Sequence, residues 1–113
     1  MPELRRGDIW ITELDPTRGH EQAGIRPALI ISEDNFNRSG AELVFVIPIT
    51  SQLKRVRYHV LATPPDGGLP KPSHIKCEDM RAVSHERLVR RLGKLSDSAM
   101  EEVERKLRLL IGL

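Results

Sequence analysis

Leu43-Val44-Phe45-Val46-Ile47-Pro48-Ile49 is the most hydrophobic stretch of this 113-residue chain, and it carries a proline near its end. A run this short, rich in β-branched and aromatic side chains, reads as a central buried strand. Pro48 has no N–H to give to a ladder, so the strand is expected to bulge or become an edge there. Thr50 follows directly, and a hydroxyl just past a bulged strand end can be aimed out of the sheet.

The other segments must be arranged around that strand, and most are strand-like too. Ile9-Trp10-Ile11-Thr12, flanked by Leu14, predicts a first strand. Asp15-Pro16-Thr17-Arg18-Gly19 ends it with turn chemistry, and the loop onward to Gly24 is long for a hairpin. A second strand is predicted over 27–32, and a single helical turn over 33–37 capped by Ser32. A loop over 52–57 precedes a strand over 58–62. Residues 63–72 hold half of the chain's prolines and read as a semi-rigid loop. Residues 75–83 alternate imperfectly and read as one strand. A tight turn over 84–86 leads to another strand-like piece over 88–92.

Only the end of the chain has helical periodicity. Met100, Val103, Leu107 and Leu110 recur at steps of three and four and form one apolar stripe, which is core packing. Ser96 can cap this helix, with Ser98-Ala99-Met100-Glu101 offering a competing capping box. Glu101–Arg105, Glu102–Lys106 and Glu104–Arg108 are spaced for ion pairs along it. The pattern alone supports a small β-rich domain ending in one helix.

A chain of this length builds one small core without staples, so residues 1–113 are expected to form a single domain. The single cysteine, Cys77, excludes an intramolecular disulfide framework and suits a buried thiol in a reducing cytoplasm. Met1-Pro2-Glu3-Leu4-Arg5-Arg6 lacks the apolar core of a signal peptide. No apolar run approaches the roughly 18 residues a membrane helix needs. The net charge is only +2, but 43–65 contains no acid while Lys54, Arg55 and Arg57 cluster there. That asymmetry suits an anionic partner, though it also suits a solvated loop.

The sharpest local signal is Glu21-Gln22-Ala23-Gly24-Ile25-Arg26-Pro27-Ala28-Leu29-Ile30-Ile31. Gly24 permits a sharp turn, and Pro27 biases Arg26 toward an extended backbone. Arg26 is thus expected at the mouth of a buried strand, where a fixed guanidinium can meet a phosphate or carboxylate. From spacing alone a surface salt-bridge partner is the commoner outcome for an Arg so placed. His20, His59, His74 and His85 are scattered without metal-ligand spacing, and no phosphate-binding glycine loop or dinucleotide fingerprint is present.

Gly7-Asp8-Ile9-Trp10, Leu14-Asp15-Pro16-Thr17-Arg18-Gly19, the Glu21–Ile31 stretch, Pro48-Ile49-Thr50-Ser51 and the end from Leu107 to Leu113 resemble, in order and spacing, the MazF/PemK (Kid) family of toxin endoribonucleases. The resemblance implies a mainly β (α+β) fold, an SH3-like, CcdB/PemK-type strongly bent antiparallel barrel with a C-terminal helix. It implies metal-independent, sequence-specific cleavage of single-stranded RNA without a cofactor. The catalytic pair would be Arg26 and Thr50, with Glu21 a further loop acid. The 2′-hydroxyl would attack, leaving a 2′,3′-cyclic phosphate and a 5′-hydroxyl. Either Glu21 or His20 could carry the proton, since a guanidinium stays protonated. Bases would be held by Thr17, Arg18, His20, Gln22, Lys54, Arg55, Arg57 and Arg81. Asp79 stands where many relatives carry Gln, and an acid there could repel a phosphate or accept from a base amine. The implied partners are a second copy in a homodimer and an antitoxin with an acidic, partly disordered tail. A cytoplasmic location with no membrane involvement is expected.

Two other readings compete. A toxin on the same barrel that poisons DNA gyrase, like the CcdB type, would not need Arg26 and Thr50. An SH3-like peptide-binding module would want a groove with several aromatics, whereas Trp10, Tyr58, Phe36 and Phe45 are the whole supply here.

Overall fold

The computed structural model describes residues 3–113, so Met1 and Pro2 of the N-terminal stretch lie outside it. Strands β1 (Asp8–Glu13), β2 (Ile25–Ile30), β3 (Leu43–Thr50), β4 (His59–Ala62), β5 (Ser73–Lys76), β6 (Arg81–Ser84) and β7 (Leu88–Lys94) accompany helices α1 (Asp34–Asn37) and α2 (Asp97–Ile111). The sheet runs β4-β5-β3-β2-β1-β7, with β6 pairing the first half of β3. Every pairing is antiparallel.

Strand alternation sends side chains to two separate cores. Ile9, Leu29, Ile47, Ile49, Val60 and Ile75 pack with Met100 and Val103 of α2. Trp10, Ala28, Ile30, Val44, Val46 and Val83 form the second cluster on the opposite face. Leu88 of β7 packs against that cluster as well, so the sheet curls until β6 and β7 approach from its two ends. A 3₁₀ turn, His85–Arg87, joins them, but no ladder closes β6 onto β7 among the described residues. The fold is the strongly bent antiparallel sheet with a terminal helix, left open rather than closed into a barrel.

Pro48 neither bulges β3 nor makes it an edge. Ile31 donates its N–H to Phe45 O at 2.9 Å, which fixes the alternation and turns the backbone N of residue 48 away from β2. On that other edge β6 pairs only 43–46, and β5 begins only at Ile49. The missing N–H therefore falls between two partners, and β3 continues through Thr50.

Other segments also differ from expectation. The single strand expected over 75–83 is β5, a 3₁₀ turn at Cys77–Asp79 and β6, because the chain changes pairing partner there. Glu33, not Ser32, caps α1 by accepting the N–H groups of Asn35 and Phe36. Ser32 instead bonds Asn37 and accepts from Phe45 N. Ser96 caps α2 through Ala99 N, and the box at Ser98 is not used. The three pairs expected along α2 do not form. Glu102 takes Arg105 at i,i+3, Glu104 takes Arg6, and Lys106 donates to Arg57 O. The described helices include none long and apolar enough to cross a membrane.

Candidate nucleic-acid site

β2 starts two positions earlier than the proline suggested, so Arg26 lies within the strand, paired with Thr12 of β1, rather than at its mouth. On the other side of β2 the ladder with β3 ends at Ala28↔Pro48. Carried on at the same register, it sets Arg26 opposite Thr50. Thr50 in turn is paired with His74 of β5, and His74 with Leu61 of β4. Thr12 and Arg26 form one paired row and Thr50, His74 and Leu61 another; the β2–β3 ladder ends before joining them, and strand alternation puts Arg26 and Thr50 on the same face of neighbouring strands.

Arg26 is exposed and donates from Nε to Ala23 O at 3.2 Å. Among the described residues no carboxylate pairs with it, which removes the salt-bridge reading and leaves its terminal nitrogens for an external anion. Thr50 is buried, and its hydroxyl accepts from Gln52 N at 3.1 Å. The hydroxyl proton is left to donate elsewhere.

The loop between β1 and β2 is held from two sides. Leu14 N donates to Gly24 O, and Gly24 N donates to the Asp15 carboxylate, with Gly24 at φ 80° as this closure requires. Glu21 folds back on its own turn and accepts Arg18 N at 2.7 Å. Deeper in, Asp79 accepts Gln22 N at 2.8 Å and Arg81 Nη2 at 2.7 Å, with Lys76 Nζ at 3.8 Å. The Gln22 amide oxygen receives Lys76 Nζ at 3.5 Å. Asp79 is thus consumed by the protein's own loop rather than left to meet a base or a phosphate. Arg81, which also reaches Leu14 O, is committed to the same knot and not offered to a ligand.

Thr17 is half-buried, while Arg18 and His20 are exposed on this loop. Lys54, Arg55 and Arg57 are exposed on the loop between β3 and β4, with Arg57 stacked on Tyr58 at 5.5 Å. That loop folds over the outer face of β4 and β5, enclosing a groove of about 430 Å³ together with His59, Leu61 and His74. Lys54 N lies 3.4 Å from His74 Nδ1.

Two residues whose sequence positions carried no weight meet in this groove. His59 and His74 stand with Nδ1 atoms 3.4 Å apart, and His59 Nε2 bonds Glu78 at 2.9 Å. Only the register of β3, β5 and β4 brings them beside Thr50. The proline-rich loop between β4 and β5 hides that register in the sequence. Burial, then the neighbouring His59, lowers the His74 pKa below the ordinary histidine value. Among the described residues no three His, Cys, Asp or Glu side chains converge as a metal site would require.

Residues 5–111 match the family of PemK-like, MazF-like toxins of type II toxin–antitoxin systems. Endoribonuclease MazF9 of Mycobacterium tuberculosis is 34% identical over 115 residues, covering 97% of this chain and 98% of that one. A crystal structure of MazF from Deinococcus radiodurans superposes with a TM-score of 0.88 at 25% identity, covering 100% of both chains. A MazE–MazF structure from the same organism gives 0.80 at 26% identity, over 100% of this chain and 99% of the other.

Proposed function

Because the chain belongs to the PemK-like, MazF-like toxins of type II toxin–antitoxin systems and so is an endoribonuclease, we propose that it cuts single-stranded RNA at a site built on Arg26 and Thr50. The observation that supports this is the alternation along β2 and β3, on which a guanidinium with no carboxylate partner among the described residues and a buried hydroxyl share one face of adjacent strands.

RNA supplies its own nucleophile, so the protein's task is orientation and charge stabilisation. Arg26 grips the non-bridging phosphate oxygens with its terminal nitrogens as negative charge builds in the pentacoordinate state. Thr50 donates its free hydroxyl proton to the same oxygens. The O2′–P bond forms as P–O5′ breaks, leaving a 2′,3′-cyclic phosphate and a 5′-hydroxyl. No step uses a metal, and cleavage survives EDTA. Glu21 acts through the loop, holding the Arg18 turn that frames the site, rather than as a proton carrier.

Lys54, Arg55 and Arg57 hold the backbone of the strand, and Thr17, Arg18, His20 and Gln22 contact its unstacked bases. The protein works as a homodimer and is silenced by an antitoxin whose acidic, partly disordered tail folds onto the basic loop. The experiment is cleavage of a defined transcript by Arg26→Ala. Loss of cutting with an unchanged thermal melt is expected, and a fully active variant ends the proposal. A gyrase poison on this fold does not depend on the pair, so its toxicity would survive the substitution.

A further inference from the structure

We infer that His74 is the proton acceptor for RNA cleavage, with His59 and Glu78 as positioning residues behind it. The inference rests on the nuclease reading above and adds to it the group that removes the 2′-hydroxyl proton.

Three observations meet here. His74 is the ladder partner of Thr50, and directly opposed residues on one sheet face have Cβ atoms about 4.5–5.5 Å apart. Its ring borders the groove under the basic loop, where the function proposed above puts the RNA backbone. Behind it runs a chain of contacts, His74 Nδ1 to His59 Nδ1 at 3.4 Å and His59 Nε2 to Glu78 at 2.9 Å. The His59 side chain is only 4% exposed, against 36% for Glu78, so the middle of the chain is dry and its far end touches water.

The proton arithmetic follows from these contacts. With Glu78 ionised, His59 Nε2–H donates to it, and His59 Nδ1 becomes an acceptor. Lys54 N–H donates to His74 Nδ1 at 3.4 Å, so the reactive tautomer is the one in which that contact opens, Nδ1–H turns its proton to His59 and Nε2 is left as the base. When Nε2 takes the 2′-hydroxyl proton, the Nδ1 proton can pass to His59, whose positive charge sits against Glu78. His74 Nδ1 is then free to accept Lys54 N–H, the second group standing 3.4 Å from it. The O2′–P bond forms, P–O5′ breaks, and O5′ takes a proton from water. The relay returns its own proton to solvent, so nothing is consumed.

The charged groups facing His74 are Lys54, Arg55 and Arg57 from the loop, His59 from β4 and Glu78 behind it. Lys76, on the same face of β5, is engaged with Asp79. Burial, then the neighbouring His59, favours the neutral, basic imidazole, in keeping with the lowered His74 pKa. Activity should therefore fall as pH drops through that lowered value.

The test is the pH–rate profile of the full-length protein on a defined single-stranded transcript, read by 5′-hydroxyl ends. His74→Ala is expected to cut about 10²–10³-fold more slowly and to lose the acidic limb, with added imidazole restoring part of the rate. Glu78→Gln, with His74 intact, is expected to move the limb to lower pH, because the imidazolium loses its counter-charge. In the wild type, the NMR titration of the His74 ring should coincide with the limb, a reading that needs no variant to fold. A His74→Ala rate within threefold of wild type overturns the inference, as does a slower variant whose limb stays in place or a ring titration that misses the limb. Those failures leave the nuclease reading standing. A fully active Arg26→Ala, or wild-type protein that cuts no RNA, removes both.

Discussion

The carboxylate of Asp79 accepts the backbone N–H of Gln22 at 2.8 Å, across 57 positions of sequence. One acid thereby ties the loop that frames Arg26 to the turn between β5 and β6. It shares that acid with Arg81, whose side chain is 15% exposed against 11% for Asp79. Removing one partner of so buried a pair strands the other charge, at a cost of about 3–5 kcal/mol. Arg81 is already short of partners, since its Nε has none in the described structure. Asp79→Ala should lower the melting temperature and speed hydrogen exchange at the Gln22 amide. Adding Arg81→Met should recover much of the melt but not the slow exchange. Unchanged exchange at Gln22 in the single variant would show that the loop is held by other means.

Thr50→Val keeps the shape and removes the hydroxyl. If the hydroxyl donates to the phosphorane, cleavage should slow by about 10²–10³-fold. The Gln52 N–H also loses its acceptor, so the melt is followed alongside the rate. A loss below threefold would reduce Thr50 to a structural role.

Lys54 and Arg55 are exposed and, among the described residues, in no ion pair. Each that meets a phosphate contributes about 0.7 to the slope of log affinity against log salt for a single strand. Binding of a non-cleavable 2′-deoxy oligonucleotide should weaken steeply with salt, and Lys54→Ala or Arg55→Ala should each flatten the slope by about that amount. A slope that neither change moves would place the RNA elsewhere.

Cys77 is 1% exposed, and burial, with Glu78 beside it, pushes its thiol up to about 12. The thiolate is the reactive form, so almost none exists at pH 8 in the native protein. Iodoacetamide should leave the folded chain unmodified by mass and label it once in denaturant. Rapid labelling of the native protein would mean that the 3₁₀ turn at Cys77–Asp79 opens easily.

The sequence pattern exposed what depends on local chemistry. The apolar stripe of α2, its Ser96 cap and the strand character of β1, β3 and β7 were all readable from spacing. Arg26 and Thr50 were found through resemblance, and the extended backbone at Arg26 through Pro27. What stayed hidden depends on pairing between distant segments. Pro48 looked like a defect until β6 and β5 left room for it on one edge. Asp79 looked like a free acid because nothing local predicts that it reaches Gln22. His59 and His74 looked scattered because their meeting needs the β3–β5–β4 register.

At Asp66–Gly68 the chain touches β7 main chain against main chain. A methyl group on Gly68 would lie 2.3 Å from Leu92 O, and one on Gly93 would lie 2.8 Å from the Gly67 carbonyl carbon. Gly67 and Gly68 also sit at φ 66° and 74°, which side-chain-bearing residues rarely adopt. The adjoining Asp66 carboxylate binds both Ser96 N and Ser96 Oγ at the start of α2. At Gly68 and Gly93 the facing atoms are all backbone, so there is no side chain to trim or rotate there. A genetic selection for harmless versions of the toxin will therefore collect changes at these glycines as readily as at Arg26, and only an assay of how much protein accumulates will separate ruined folding from ruined chemistry.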